Sequence, residues 1–369
     1  AETLSLSLRF VVALVLILAL VPAAAASDEE ITLEQEAKLQ DVRAAIDAAG
    51  ASWTAEHNWV SRLPREEYLR MLGGEYPPHI RAIFDTLKPK PEDLARTYPE
   101  SWDWRTMGGV TPVKNQGACG SCWDFAAVGA MEGNVRIQEG VIFDLSEQQG
   151  LDCNDGGSSC SGGNSPDAYA VFTDPGAITE ECAPYLGVES NCRQRLCEKV
   201  AIIDGYEYIA GNVSSYKAAI MEGPISSSYI VYEDFNNYGG GCYEHVYGGY
   251  DAGHSIVIVG WDDTMCGGEG AWICKNSWGG TWGEAGYFYI KFNDDSGTNP
   301  WLDPVKSQGL DKNPVTDTRI PDPRRLTDPV RVRRPGRNPA VPFVMSTPHH
   351  SNAWAESYPE AHAENVSQL

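Results

Sequence analysis

Pro112-Val113-Lys114-Asn115-Gln116-Gly117-Ala118-Cys119-Gly120-Ser121-Cys122-Trp123 runs into Phe125-Ala126-Ala127-Val128-Gly129-Ala130-Met131-Glu132, where apolar residues return at helical spacing. A helix is therefore predicted to begin at about Cys122. There the unpaired N–H groups of the first turn and the positive end of the helix dipole face the sulfur, and both favour thiolate over thiol. Gln116 stands just upstream on a glycine-bearing loop. Its side-chain amide and the Cys122 backbone N–H together can donate to a developing oxyanion. The pattern is that of a nucleophile with its electrophilic partner.

A nucleophile of this kind needs a base, and between residues 101 and 300 the sequence offers His245 and His254. His254 opens the apolar run Ser255-Ile256-Val257-Ile258-Val259-Gly260, which reads as a buried strand with a defined side-chain direction. His245 lies in the polar, tyrosine-rich stretch Tyr243-Glu244-His245-Val246-Tyr247 and reads as a solvated loop residue. Asn276, in Trp272-Ile273-Cys274-Lys275-Asn276-Ser277-Trp278-Gly279, can orient the imidazole through its side-chain carbonyl, with Trp278 shielding the contact from water.

Composition narrows the classes further. The 369 residues carry a net charge of −23, from 51 acidic against 28 basic residues, so the surface repels phosphate backbones and nucleic acid is not an expected partner. Residues 1–26 have Arg9, then an apolar run from Phe10 to Val21, then Pro22 and the small residues Ala23 to Ala26. That order is expected of a cleaved signal peptide, since the apolar run falls short of the ~20 residues that cross a bilayer. Export, a secreted or lumenal location and a mature form that does not span a membrane follow as expectations. Ten cysteines then point to disulfides rather than to metal, because ligand pairs at finger-like spacing are absent. No metal and no cofactor is expected.

Between Ser27 and Tyr98 there is no cysteine. Glu34 to Ala49 reads as a helix, and a second helix is expected near Arg65 to Leu72, with Pro64 at its first position and Gly73-Gly74 stopping it. Pro77-Pro78, Pro89, Pro91 and Pro99 read as a linker, with a domain boundary near residues 95–101. Past Asn293 the chain turns rich in proline, arginine and polar residues, and a disordered extension is expected over 298–369. Asn212-Val213-Ser214 and Asn365-Val366-Ser367 are acceptor sequences for N-glycans.

Cys119-Gly120-Ser121-Cys122-Trp123 is similar to the signature around the nucleophile of papain-like cysteine peptidases, and His254 and Asn276 follow in the family's order. Ser101-Trp102-Asp103-Trp104-Arg105 resembles the start of the mature enzyme. Leu145-Ser146-Glu147-Gln148, Cys160-Ser161-Gly162-Gly163, Asn276-Ser277-Trp278-Gly279 and Trp282-Gly283-Glu284 through Gly286-Tyr287 resemble further hallmarks. Several motifs in correct order are far more specific than one. The resemblance implies an α+β, two-lobed fold over residues 99–297, with a helical left domain bearing Cys122, a β-barrel-like right domain bearing His254, and the active site between them. It implies a monomeric hydrolase of peptide and protein substrates, with Gly162 and Gly163 holding substrate backbone, Asn164, Ser165, Ser228 and Ser255 lining the main specificity pocket, and Trp278 flanking it.

Residues 27–98 resemble a helical inhibitory propeptide, through Ala51-Ser52-Trp53-Thr54-Ala55 and Leu69 to Gly74. This segment is expected to pack on the right half and run through the cleft as an intramolecular inhibitor. The family implies a Cys119–Cys160 disulfide; Cys153 with Cys192 and Cys182 with Cys197 are further expected pairs, while Cys242, Cys266 and Cys274 permit several arrangements. Two departures stand out: Asp124, an acid where a small apolar residue is usual, expected in the first helical turn and pointing away from the sulfur, and Gly253 before His254. Two rival classes are weighed. A thiol–disulfide oxidoreductase on Cys119-x-x-Cys122 lacks the βαβ context and leaves the His and Asn partners unexplained. A catalytically silent peptide-binding protein on the same fold is the second.

Overall fold

The computed structural model describes residues 31–74, 76–292 and 301–310. The expected signal peptide (1–26), Asn365 and residues 311–369 of the expected extension lie outside them. Helix α1 (Leu33–Ala49) starts at Thr32 with a capping box: the Thr32 hydroxyl accepts from the Gln35 N–H, and the Gln35 side chain accepts from the Thr32 N–H. Leu39, Val42 and Ile46 form its buried stripe. Strand β1 (Trp53–Ala55) follows, pairing antiparallel with residues 238–241, so this segment is not purely helical as expected. Its partner lies far along the chain, and three residues carry no local signature. Helix α2 (Arg65–Met71) has Pro64 as its N-cap rather than its first helical residue.

The expected proline linker contains two short helices, α3 (Pro78–Thr86) and α4 (Pro91–Ala95). Pro78 and Pro91 take the first helical position, where a missing N–H costs nothing and a fixed φ helps. Strand β2 (Ser101–Asp103) precedes the long helix α5 (Cys122–Glu139), followed by α6 (Glu147–Cys153) and α7 (Ser165–Thr173). The remaining elements are β3 (Ile203–Tyr208), α8 (Val213–Glu222), β4 (Ile225–Tyr232), β5 (Tyr238–Tyr243), β6 (Tyr250–Asp262), β7 (Ala271–Lys275), β8 (Tyr287–Lys291) and β9 (Trp301–Leu310). The strands join in the order β1-β5-β8-β7-β6-β4-β9-β3, with β2 on β6. The β5–β8 pair is parallel and the others are antiparallel.

Two apolar cores result. Trp123, Val128 and Met131 of α5, Leu151 of α6 and Tyr169 and Phe172 of α7 build a helical lobe. Ile256 and Ile258 of β6, Trp272 of β7, Phe288 of β8, Trp278 and Trp282 build the sheet lobe. The N-terminal segment contributes to both: Leu39, Val42, Trp53, Tyr68 and Met71 join the sheet core, and Tyr76 and Ile80 the helical one. It was expected to pack on the sheet side and run through the cleft; the contact of Tyr76 and Ile80 with the helical core adds to that. Helix α5 is buried on every side from Cys122 to Val135, and a Cβ at Gly129 would stand 3.0 Å from Val257, so the helix lies directly between the lobes.

Disulfides join Cys119 to Cys160, Cys153 to Cys192, Cys182 to Cys197 and Cys242 to Cys266. Cys122 and Cys274 stay free and buried. The expected boundary at residue 297 needs correction, because β9 is built from residues assigned to the extension. It pairs antiparallel with both β3 and β4, supplying the ladder partners that neither finds elsewhere along those edges. Its Val305 is fully buried, a contribution of ~2 kcal/mol. At roughly 2–4 °C per kcal/mol for a domain of this size, a chain ended after residue 300 should melt about 5 °C or more below one ended after residue 316; thermal unfolding followed by circular dichroism measures the difference.

Candidate active site

Helix α5 begins at Cys122, and the residue is fully buried at the face toward β6. Backbone and side-chain contacts from Ser255 reach its sulfur, which sets the thiol against the His254–Ser255 step of β6. His254 Nε2 lies 2.8 Å from Asn276 Oδ1, which also accepts from the Ser277 N–H at 2.8 Å. An oxygen accepting at Nε2 requires the proton there, so Nδ1 keeps its lone pair. Nδ1 is buried and has no partner. Trp278 covers this pair with ring centroids 4.7 Å from the imidazole, so water does not compete for the Asn276 contact. His245, by contrast, is tied at Nδ1 to Asp234 at 3.2 Å and stacked on Tyr232.

Gln116 is fully buried on the loop before α5. Ser277 Oγ donates to its Oε1 at 2.6 Å, which fixes the amide and turns Nε2 outward. Nε2 then donates to Cys119 O at 2.8 Å and to Met71 O at 2.7 Å. The loop itself is held across the lobes, with Gln116 N–H donating to Ser277 O and Gly279 N–H to Lys114 O.

The carbonyl of Met71 comes from the N-terminal segment, which runs through the cleft. Gly163 N–H donates to Gly73 O at 2.8 Å, Gly74 bridges Gly163 in parallel, and the N–H groups of Gly73 and Gly74 both donate to Gly253 O. Glycine is required here by space. A Cβ at Gly73 would lie 2.7 Å from Gly162 Cα, one at Gly74 2.5 Å from Ser255 Oγ, and one at Gly253 2.1 Å from Gly74 O. Gly73-Gly74, read from sequence as a helix stop within a prosegment-like stretch, and Gly253, read as a neutral departure, thus pack against each other in the cleft. A glycine pair following a short helix was the available signal.

Of the residues expected to line the specificity pocket, Ser228 and Ser255 meet through their hydroxyls at 2.6 Å beside Gly74. Ser165 Oγ is spent on Trp123 O. Asn164 caps α7, accepting from the Asp167 N–H, while its amide nitrogen donates to Asp167 Oδ2. The polar groups of Asn164 and Ser165 therefore serve the helix and its anchorage rather than the cleft. Gly162, at φ 122, brings its backbone against Gly73 as only glycine can.

Burial governs the electrostatics. It pushes the Cys122 thiol up to about 11, against contacts from Ser255, and pushes His254 down to about 4, against the Asn276 hydrogen bond. The pair is neutral in this covered state. Asp124 was expected as a dipole-tolerated charge, and the structure corrects this: its carboxyl is fully enclosed against Gly150, and burial followed by repulsion from Glu147 raises its pKa well above the usual range against the opposing Leu151 backbone N–H and Lys114 charge. The fold thus disfavours its charged form. A carboxyl raised in the folded state costs nothing below its unfolded value near ~3.9 and costs progressively more as pH climbs above it. Asp124→Asn should therefore raise the melting temperature at pH 7 by several degrees and lose that advantage as pH falls toward 3.5.

Residues 98–300 match the family described as papain family cysteine protease. Fruit bromelain of Ananas comosus is 39% identical over 191 residues, 51% of this chain and 54% of that protein, so the chain spans about half that relative's length. Cysteine endopeptidase Rep1 of Oryza sativa subsp. japonica is 34% identical over 264 residues, covering 67% of this chain and 68% of it. Among solved structures, a recombinant stem bromelain precursor superposes with a TM-score of 0.65 at 28% identity, covering 74% of this chain and 89% of the other. With the family's motifs in order and the two-lobed fold around them, this chain belongs to the papain family of cysteine proteases.

Proposed function

We propose that the protein is a cysteine peptidase made as a zymogen, with residues 27–98 as its prosegment, residues 1–26 as an export signal, and peptides or proteins as substrates. The observation that carries the reading is the Gln116 amide aimed at a peptide carbonyl, Met71 O, at 2.7 Å beside the Cys122 helix terminus. A substrate carbonyl in that place is polarised by Gln116 Nε2 and the Cys122 N–H. His254 Nδ1 takes the thiol proton, and the sulfur attacks the carbonyl carbon. The tetrahedral oxyanion collapses, the C–N bond breaks, and the imidazolium gives its proton to the leaving amine. His254 then deprotonates a water that attacks the thioester, releasing the acid and restoring the thiol. Asn276 keeps the ring oriented throughout, and Trp278 keeps that contact dry.

The prosegment occupies the same donors with its chain direction reversed, since it runs from Met71 at Gln116 toward Gly74 parallel to Gly163. It blocks the cleft and buries both reacting groups. Its removal exposes them to water, which lowers the thiol pKa and raises that of the imidazole until an ion pair forms. A monomer working after export, in a secreted or lumenal setting, accords with the four disulfides. Among the described residues no helix is long and apolar enough to cross a membrane.

An epoxysuccinyl label should attach to Cys122 of the processed protein and not of the proform, as peptide mapping by mass spectrometry reads directly. Label absent from folded, processed protein would sink the peptidase reading in favour of the silent binder. Asn276→Ala should lower kcat/KM tenfold or more, while Cys122→Ala should abolish turnover. Gly74→Ala, whose methyl meets Ser255 and the His254 backbone, should loosen the prosegment. Labelling of unprocessed Gly74→Ala protein should be faster than that of the unsubstituted proform.

A further inference from the structure

The pairing of Arg65 with Asp251 goes beyond holding the N-terminal segment in place. Arg65 Nη2 lies 2.5 Å from Asp251 Oδ1 and 3.6 Å from Glu233 Oε1. The Arg65 side chain is half exposed, whereas that of Asp251 is fully enclosed, and Asp251 Oδ2 is buried without a partner. The carboxylate is thus built into the sheet lobe, next to the cleft, with hydrogen-bonding capacity its present occupant does not fill. Its occupant belongs to the part of the chain that the zymogen reading removes. Lys38 of the same segment also lies near Asp251 and Glu233, and it leaves with Arg65. The processed protein would keep the two acids and lose both cations.

Position follows from the backbone contacts. In a substrate, the scissile carbonyl takes the Gln116 amide and the residues before it lie toward Gly163, so the leaving-group side extends the other way. The segment passes from Gln116 to Gly163 between Met71 and Gly73, which puts Arg65 on the leaving-group side. Strand β6 agrees: Ser255 faces Gly74, Gly253 holds Gly73 and Gly74, and Asp251 lies further on in the direction of Arg65. From Arg65 to Met71 the helix rises about 9 Å, the span of about three residues of extended peptide.

We propose that Asp251, assisted by Glu233, is a specificity-determining site of the processed enzyme that takes an arginine or lysine side chain two or three residues beyond the scissile bond on the leaving-group side. It rests on the peptidase reading. Residues 99–369 carry 36 acidic against 18 basic residues, a net charge of −18, which draws such cationic substrates to the surface before they dock. Arginine suits the site better than lysine, because its guanidinium fork can engage both carboxylate oxygens, one of which Arg65 leaves unused.

The test uses the processed protein, expressed from the full chain, and three substrates sharing one acyl side. Two are internally quenched peptides with Arg or Gln at the second and third leaving-group positions; the third ends in aminocoumarin and has no residue there. The expected result is a kcat/KM for the Arg peptide about tenfold above that for the Gln peptide, with the ratio falling toward one in Asp251→Asn and shrinking with added salt. A ratio near one in the unsubstituted enzyme, or a preference that survives Asp251→Asn together with Glu233→Gln, overturns the proposal. If the variants do not process, the unsubstituted ratio and its salt dependence decide. Failure to cleave the aminocoumarin substrate would instead bring down the peptidase reading, and the proposal with it.

Discussion

The partly buried ammonium of Lys114 is the contact on which the geometry of the cleft depends. Its Nζ reaches Glu132 at 3.0 Å, Glu147 at 2.9 Å, Asp144 at 2.7 Å and the carbonyl of Leu145 at 2.9 Å. Glu132 and Glu147 are almost wholly enclosed, and burial lifts Glu147 to about 8 even with the lysine beside it. Without the lysine, two enclosed acids would lose their directly paired cation, leaving Lys275 as a more distant one; removing one partner of a fully buried pair costs about 3–5 kcal/mol, an upper figure for this partly exposed lysine. Glu132 belongs to α5 and Glu147 to α6, while the Lys114 carbonyl accepts from Gly279 in the other lobe. One residue therefore sets the loop carrying Gln116 against the nucleophile helix on one side and the Asn276–Gly279 loop on the other.

On the proposed function, the fold can assemble a reactive pair without its being reactive. Cys122 and His254 are both fully buried, and the same segment that fills the cleft excludes the water that would solvate their ions. Position and ionisation are thus controlled separately: the lobes and their cross-links supply the first, and the covering chain withholds the second. Asp124 fits the same logic, being an acid whose charged form the fold disfavours.

The proposed site was readable in the sequence because each member is a residue type that little else explains. A cysteine at a helix start, a histidine opening an apolar strand, and Asn276 and Gln116 beside tryptophan and glycine announce themselves locally. What was not readable depends on partners far along the chain. Strand β1 exists because Trp53 finds Gly241, and β9 because β3 and β4 each lack a neighbour. The prolines at 78 and 91 signal both a linker and a helix start, and only packing decides between them. Asn164 and Ser165 were assigned to the cleft by resemblance, yet their polar atoms cap and anchor α7. The closeness of Gly253 to Gly74 is a matter of ångströms that no spacing rule encodes.

If the proposed prosegment is removed, strand β1 has one more consequence, for the colloidal behaviour of the protein that remains. When the residues bearing β1 are lost, β5 becomes a bare sheet edge, the kind of surface that invites a strand from another molecule. The part of β5 that β1 covered carries Gly239, Gly240 and Gly241, and Gly241 departs from extended geometry at φ +89. Glycines bring no side chains for cross-strand pairing and weaken a strand by their freedom. The edge that processing uncovers is therefore a poor template, and the glycines that admit the covering strand also discourage self-association once it is gone.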